Sequence, residues 1–203
     1  MARYTGAKTK KSRRLGVMLI GSEKSFERKN YPPGVHGPRS ARRKQSDYAL
    51  AMAEKQKLRY QYGLLERQFR KYYEEARRRR GVTGETMLQL LECRLDNVVF
   101  RMGLAKTRDG ARQMVGDGHV QVNGRKVDIP SFQVGPGDKI TVRDSTRSQS
   151  LARKNLERTQ ITQPPVWMTF DRDQMVGEMN YVPSRDEIQP VVNEQLIVEL
   201  YSR

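Results

Sequence analysis

Four arginines near the middle of the chain have a spacing that could bring their guanidinium groups onto one surface. They are Arg94, Arg101, Arg108 and Arg112. Asn97 lies between the first two at helical intervals of three and four residues, and the last two are four residues apart. A guanidinium stays protonated and makes forked, charge-assisted hydrogen bonds to phosphate oxygens. Exposed arginines are often merely solvated, but their clustering in a short glycine-bounded module predicts a phosphate-binding face.

Residues around these two helices extend the predicted face. Lys106 and Thr107 lie at the helix junction, and the backbone amides after Thr107 could bind a phosphate at a helix N-terminus. Farther on, Asn123-Gly124 indicates a hairpin, because a type I′ turn needs two residues that tolerate positive φ. The other residues of this region that we expect to contact a polyanion are His119, Asn123, Arg125 and Lys126.

The distribution of charge indicates a polyanionic partner. The net charge is +16 and the isoelectric point is about 10.2. Residues 1–91 carry +15, residues 92–160 carry +5 and residues 161–203 carry −4. This gradient predicts a nucleic-acid surface toward one end and a protein- or solvent-facing surface at the other. No segment approaches the ~20 apolar residues of a spanning helix, and the N-terminus lacks the apolar core of a signal peptide. We therefore expect a cytoplasmic protein.

Few residues could serve an enzyme or a metal. The single cysteine, Cys93, excludes an internal disulfide and a cysteine-rich zinc site. Asp171 and Asp173 fit a turn between strands better than a pair of catalytic carboxylates. The GPGDK segment at 135–139 lacks the spacing of a phosphate-binding loop. We expect no catalytic residue, no metal and no cofactor.

The elements that must position these residues indicate an α+β fold in three parts. Residues 1–45 are interpreted as a basic extended arm, rich in lysine, arginine and turn formers. Residues 46–91 are predicted to form a helical domain joined by the segment at about 184–203. Residues 92–183 are predicted to form an RNA-binding domain of helices packed on a small antiparallel sheet. Its helix–helix–hairpin module occupies residues 92–127.

Apolar spacing predicts the helices of the first half. Ser46 and Asp47 are candidate caps for a helix over residues 48–62, and a second helix follows within 64–81. The aromatic side chains expected in a helix–helix core, in preference to stacking on bases, are Tyr60, Tyr62, Phe69, Tyr72 and Tyr73. A single third helix is predicted from Thr83 or Gly84 to Met102, because apolar residues repeat there at intervals of three and four. Thr107 then caps a short fourth helix.

The second half alternates short apolar segments with turn residues, which is typical of a small sheet. The predicted elements are a strand at 120–122, a strand pair at 132–134 and 139–142, a loose helix at 145–160, strands at 166–170 and 179–182, and a C-terminal helix at 193–203. The last of these could also be a strand, but its apolar spacing favours a helix.

Structured RNA fits this arrangement better than DNA does. A-form RNA is recognised mainly through its backbone shape and its 2′-hydroxyls, because its base edges are hidden in a deep, narrow groove. A convex pair of helices suits a junction or a groove surface. The sequence contains neither an aromatic sheet motif for single strands nor a Cys/His finger. DNA remains the weaker alternative.

Several segments resemble one protein family. The segment from Glu92 to Val127 resembles the RNA-binding module of the fourth-numbered family of small-subunit ribosomal proteins. That module also occurs in some pseudouridine synthases, tyrosyl-tRNA synthetases and a heat-shock RNA-binding protein. The flanks resemble the ribosomal family specifically: MARYTGAKTKKSRRLG at the start, PPGVHGPR at 32–39, EKQKLRYQYGLLERQFRKYY at 54–73 and NEQLIVELYSR at the end. The alternative is an RNA-modifying enzyme, which would need a catalytic domain.

The chain is identified as a member of this family in its bacterial or organellar form. It departs from many relatives, which carry a four-cysteine zinc knuckle in the arm, because residues 9–37 contain no cysteine and His36 cannot bind zinc alone. The resemblance therefore implies a zinc-free form. Its arm must be ordered by RNA contacts and by neighbouring proteins.

The resemblance implies partners and roles. Family members bind a multi-helix junction of 16S rRNA and nucleate assembly of the small-subunit body. They lie where mRNA enters, with ribosomal proteins three, five and twelve as neighbours, and influence decoding accuracy together with protein five; some also repress their own mRNA. Further RNA-binding residues are expected at Arg3, Tyr4, Lys8, Lys10, Arg13, Arg14, Arg67 and Arg70. The residues expected near incoming mRNA are Arg39, Arg42, Arg43 and Lys44.

Overall fold

The computed structural model of the protein describes residues 4–19, 26–42, 44–159 and 163–202, without the side chains of 40–42. The chain divides into two compact units. The first comprises Met1–Gly84 with Pro190–Arg203, and the second comprises Glu85–Gln189. Within the described ranges, no helix is both long enough and apolar enough to cross a membrane. The mixture of helices with an antiparallel sheet confirms the predicted α+β class.

The first unit is helical. Its elements are α1 (Lys8–Leu15), a 3-10 helix (Gly37–Arg42), α2 (Asp47–Gln61), α3 (Glu66–Arg78) and α9 (Glu194–Ser202). Of the two candidate caps, Ser46 is the N-cap of α2: its side chain accepts a hydrogen bond from the Ala49 amide, and Asp47 is the first residue of the helix. Four of the five helix aromatics that we expected in a core are buried, namely Tyr60, Tyr62, Phe69 and Tyr73. The arm contains α1, a helix that the sequence analysis did not predict.

The C-terminal helix packs on α2 and also meets side chains of α3 through an aromatic and a polar contact. The rings of Tyr73 and Tyr201 stack with centroids 4.7 Å apart. The Glu66 carboxylate accepts hydrogen bonds from Lys55 Nζ and from the Tyr201 hydroxyl, each at 2.7 Å. Partial burial acts to raise the pKa of Glu66, but these two bonds and the charges of Lys55 and Arg59 outweigh it, so the pKa lies below its usual value. The charged form of Glu66 therefore stabilises this helix junction.

The second unit contains five helices among the described residues, the first of which begins two residues before it. They are α4 (Thr83–Glu92), α5 (Leu95–Arg101), α6 (Arg108–Gly116), α7 (Thr146–Arg158) and α8 (Arg185–Ile188). The predicted single helix from Thr83 to Met102 is wrong, because the chain becomes extended at Arg94. Arg94 forms an isolated antiparallel bridge with Gln133. The Leu95 amide donates to the Phe132 carbonyl at 2.9 Å instead of continuing the helix. A distant strand-like segment thus interrupts a locally helical pattern.

Five strands form one antiparallel sheet among the described residues. They are β1 (Val120–Val122), β2 (Arg125–Lys126), β3 (Lys139–Val142), β4 (Met168–Asp171) and β5 (Val176–Met179), in the order β2-β1-β3-β5-β4. Val122 pairs opposite Ile140, which pairs on its other side opposite Gly177. The predicted hairpin is confirmed, with φ of 51° at Asn123 and 77° at Gly124. One face of the sheet packs against α5, α6, α7 and the buried Trp167.

Two strand predictions need correction. Residues 132–134 do not pair with 139–142, because β3 pairs with β1 and β5 and Gln133 bridges Arg94 instead. The later strands run over Met168–Asp171 and Val176–Met179 rather than 166–170 and 179–182. Between them the Asp171 carboxylate accepts bonds from the Asp173 and Gln174 amides, which confirms the turn.

Candidate nucleic-acid interface

The first pair of predicted phosphate ligands shares one buried carboxylate. Arg94 is fully buried, and its Nε and Nη2 donate to Asp96 Oδ1 and Oδ2 at 3.0 and 2.6 Å. Arg112 Nε donates to the same Asp96 Oδ2 at 2.9 Å. Asp96 therefore lies between the guanidinium of Arg94, which directly precedes α5, and that of Arg112 on α6. This ion-pair group fixes α6 against the start of α5.

The second pair gathers around another buried acid. The Glu92 carboxylate, which is fully buried, accepts from Arg101 Nε and Nη2 at 3.1 and 2.8 Å. It also accepts from Asn97 Nδ2 at 2.7 Å, and Asn97 Oδ1 accepts from Arg108 Nε at 2.8 Å. Both ends of the Asn97 amide are thus in use. The guanidinium of Arg108 also lies 4.6 Å from the centre of the Phe100 ring.

These contacts show that the arginines of the predicted basic face are held by hydrogen bonds and ion pairs within the chain. We call the six side chains the buried arginine network: Arg94, Arg101, Arg108 and Arg112, with Glu92 and Asp96. The prediction that Arg94 lies on an exposed face is wrong, and Asn97 is buried as well. A pattern of arginines off the apolar stripe could not reveal that two acids fold onto them. Arg101 and Arg112 keep partial exposure, 28% and 12% of their side chains.

The junction and the hairpin stay exposed. Lys106 and Thr107 are accessible, and the Thr107 hydroxyl accepts from the Gly110 amide at 3.1 Å, which confirms the predicted cap of α6. Arg125 and Lys126 are exposed on β2, with Lys126 Nζ 3.8 Å from Asp128. The structure therefore offers these four side chains to solvent, as a polyanion-binding role requires.

Two other predicted contacts have structural partners within the chain. His119 Nδ1 lies 2.8 Å from the Ser148 hydroxyl, which links β1 to α7. Asn123 Nδ2 donates to Asp138 Oδ1 at 2.7 Å, and Asn123 Oδ1 accepts from the Lys139 amide at 2.9 Å. Asn123 thus holds the β1–β2 turn against the start of β3. Its side-chain amide is engaged within the chain.

The cations of α7 and of the loop before it were not among the predicted site residues. Arg143, Arg147, Arg153, Lys154 and Arg158 are all exposed. Helical spacing could have found them, but we interpreted residues 145–160 only as a polar loose helix. The Ser145 side chain caps α7 by accepting from the Ser148 amide. Asn155 Nδ2 donates to the Leu104 carbonyl at 2.9 Å and so ties α7 to the α5–α6 junction.

In the first unit the predicted arm residues fall into two groups. Lys10, Arg14, Arg67 and Arg70 are exposed, whereas Tyr4, Lys8 and Arg13 are partly buried. Arg13 Nε donates to the carbonyls of Lys29 and Tyr31 at 2.9 and 3.0 Å, so this side chain clamps the arm. The rings of Tyr4 and Tyr60 meet edge to face at 5.6 Å. Arg3 lies outside the described residues.

The outer face of α3 carries more cations than we predicted. Lys71, Arg77 and Arg78 are exposed along with Arg67 and Arg70. Their spacing along the helix places several of them on the face of Arg67. Near the 3-10 helix, Arg39 and Lys44 are exposed. The Arg42 side chain and all of Arg43 lie outside what the structure describes.

Cys93 is buried, as expected of a structural thiol. Within the described part of the chain, no group of three or more acidic, histidine or cysteine side chains is arranged to hold a metal ion.

Comparison with known proteins shows the family to which the chain belongs. Residues 3–92 match the ribosomal protein S4/S9 N-terminal domain, and residues 93–140 match the S4 domain. The chain is 58% identical to the small ribosomal subunit protein uS4 of Akkermansia muciniphila over the full length of both proteins. The chain belongs to the uS4 family. Its identity to the proteins of the same name from Opitutus terrae and Cutibacterium acnes is 55% and 53%, again over full length.

Family membership confirms two predictions. The resemblance stated from the sequence is correct, and the relatives are named as ribosomal proteins and not as enzymes. The two domain matches meet between Glu92 and Cys93, whereas the compact units divide at Gly84. α4 (Thr83–Glu92) spans the interval between these two boundaries and contributes Glu92 to the buried arginine network.

Proposed function

We propose that the chain is a structural constituent of the small ribosomal subunit that binds ribosomal RNA. The main support is the full-length similarity to small-subunit proteins uS4, at 58% identity in one relative. The +15 charge of residues 1–91 adds a physical reason, because neutralising phosphates releases counterions and drives binding. The predicted partner is 16S rRNA.

We propose a smaller set of RNA-contacting residues than the sequence alone suggested, because some of the predicted side chains are buried. In the second unit they are the exposed Lys106, Thr107, Arg125 and Lys126, with the partly exposed Arg101, Arg108 and Arg112. In the first unit they are Lys10, Arg14, Arg67 and Arg70. Arg94 and Asn97 are omitted, because a fully buried guanidinium or amide cannot reach a phosphate without local unfolding.

Finer roles follow from the family resemblance and extend this proposal. The chain would bind a multi-helix junction in 16S rRNA and nucleate assembly of the subunit body. Arg39, Arg42, Arg43 and Lys44 would lie where mRNA enters, beside proteins three, five and twelve. The interface with protein five would influence decoding accuracy, and binding to its own mRNA leader would allow autoregulation.

Footprinting of 16S rRNA by the full-length chain tests the proposal. The wild-type chain should protect one multi-helix junction and should sediment with purified small subunits. A Lys106→Gln, Arg125→Gln, Lys126→Gln triple variant should lose part of that protection while keeping its fold. Protection by the triple variant equal to that of the wild type would remove these residues from the interface. Absence of the chain from small subunits would refute the proposal itself.

A further inference from the structure

The outer face of α7 carries cations that pair with no carboxylate of the described residues. Arg147, Lys154 and Arg158 are exposed, and none of the three forms an ion pair with a carboxylate of the described residues. The four arginines of the buried network, in contrast, are all held by acids or by an amide. In the second unit, α7 is therefore one of the places where exposed cations lack a described carboxylate partner.

Helical geometry places these three side chains on one face. They are separated by seven and four residues, which is two turns and one further turn of an α-helix. Ser148 and Ala152 are buried on the opposite side, against the sheet. We call Arg147, Lys154 and Arg158 the α7 cation stripe. The stripe extends over most of the length of α7.

A shallow groove adjoins the stripe and offers neutral hydrogen-bonding groups. Its volume is about 400 Å³, and Thr146, Gln149 and Ser150 contribute hydroxyl and amide groups to it. Asp144 and Glu157 also line the groove, so its walls carry both signs of charge. Phosphates are therefore expected on the stripe, and ribose hydroxyls are expected in the groove.

One hydrogen bond ties α7 to the helix–helix–hairpin module at residues 92–127. The Asn155 side chain, on the turn between Lys154 and Arg158, donates to the Leu104 carbonyl at 2.9 Å. Lys106 and Thr107 follow two and three residues later and are exposed. An RNA backbone that contacts Lys106 would therefore find further cations on α7.

The composition of the face favours RNA over a protein partner. Protein interfaces usually have an apolar centre, although arginine is enriched in them. On the outer side of α7, Leu151 is the large apolar side chain exposed among the described residues, at 36%. Three unpaired cations around one leucine match a phosphate backbone better than an apolar docking site.

We infer that the α7 cation stripe binds the sugar-phosphate backbone of ribosomal RNA as an extension of the module's surface. This inference rests on the proposed function. It assigns a second face of the second unit to RNA, outside the residues 92–127 that the sequence pattern favoured. Recognition is by backbone and shape, because the stripe presents charges and the groove presents small polar groups.

Salt-dependent binding of the full-length chain to a 16S rRNA transcript tests the inference. The test variant is Arg147→Gln, Lys154→Gln, Arg158→Gln. The control is Lys139→Gln, Arg172→Gln, Arg185→Gln, which removes the same charge from exposed positions outside every proposed RNA surface. Unchanged fluorescence of the buried Trp167 verifies that the second unit stays folded.

The stripe variant should lose three phosphate contacts. The slope of log K against log salt should then fall by about 2–3, because each contact contributes about 0.7–0.9, and affinity should fall on the order of 10- to 100-fold. The control should change both quantities much less. Equal slopes for the two variants, with normal wild-type binding, would overturn the α7 assignment alone. Failure of the wild-type chain to bind would overturn the proposed function as well. Crosslinking of the stripe to an acidic protein in place of RNA would also overturn the assignment.

Discussion

The buried arginine network and the α7 cation stripe use the same kind of residue for opposite purposes. In the network, Asp96 and Glu92 are almost fully desolvated and each accepts charge-assisted bonds from two cations or from a cation and an amide. On α7, Arg147, Lys154 and Arg158 face solvent without a described carboxylate partner. Burial and pairing therefore decide whether an arginine holds the fold or remains available for RNA.

The physical cost of each arrangement explains the division. Taking a guanidinium out of water is expensive unless excellent geometry compensates, so a buried arginine requires its acid. An exposed cation keeps its hydration and exchanges counterions for phosphates. A single residue can hardly be optimal for both. Arg101 and Arg112, which are partly exposed and also paired, lie between these limits.

The largest effect is expected at the centre of the network. Asp96→Ala should destabilise the second unit by about 3–5 kcal/mol, because it leaves the buried Arg94 guanidinium without its carboxylate. Urea unfolding followed by Trp167 fluorescence measures the loss. The exposed Asp128→Ala should cost less than about 1 kcal/mol. Similar losses of stability for the two variants would mean that burial of the carboxylate does not determine how much it contributes to the fold.

A matched pair of arginine substitutions sharpens the comparison. Arg94→Gln should cost about 2–3 kcal/mol, the worth of its hydrogen bonds to a charged group. Arg147→Gln should change the free energy of unfolding by no more than about 0.5 kcal/mol, as is usual for an exposed residue. The same urea titration compares them. An Arg147 variant as unstable as the Arg94 variant would contradict the account.

The half-exposed Glu66 cluster should show an intermediate, pH-dependent effect. Its pKa lies below the usual value of 4.5, so the carboxylate contributes stability above pH 4.5 that is lost as pH falls through the folded-state pKa. Loss of helix circular dichroism on acidification should therefore be less steep in Glu66→Gln than in the wild type. The control is Glu74→Gln, which removes an exposed carboxylate of the same helix. Parallel acid profiles for wild type and Glu66→Gln would exclude the proposed role of Glu66.

The smallest effect on stability is expected on the outer face of α3. Arg70 pairs with Glu74 one turn away at 3.2 Å, and both side chains are at least half exposed. Arg70→Gln should cost only about 0.3–0.5 kcal/mol, yet it should lower the salt slope of RNA binding by about 0.7–0.9. Lys71→Gln is a matched neighbour without an ion pair in the described chain. A large loss of stability without any change in the salt slope of RNA binding would mean that Arg70 supports the fold and does not contact RNA.

The features that the sequence predicted well are local. The Ser46 and Thr107 caps, the Asn123-Gly124 hairpin and the C-terminal helix depend on neighbouring residues, and all are observed. The break at Arg94 was missed because the apolar repeat continues through it. The interruption comes from the bridge to Gln133, a partner that no local pattern identifies.

The candidate site was predicted only in part for the same reason. Intervals of three and four residues correctly grouped Arg94, Arg101, Arg108 and Arg112. They could not show that Glu92 and Asp96 would be enclosed with them, because that depends on how α4, α5 and α6 pack. The exposure of Lys106, Arg125 and Lys126 was predicted correctly, because side chains at a tight helix junction and in a short hairpin have few ways to become buried.

Arginine modification with phenylglyoxal, read residue by residue by mass spectrometry, tests the central claim most directly. In the free chain, Arg147 and Arg158 should react quickly and Arg94 should stay unmodified. After 16S rRNA is added, Arg147 and Arg158 should become protected while Arg94 remains unreactive. Rapid modification of Arg94 that RNA suppresses, or undiminished reaction of Arg147 and Arg158 in the complex, would contradict the account.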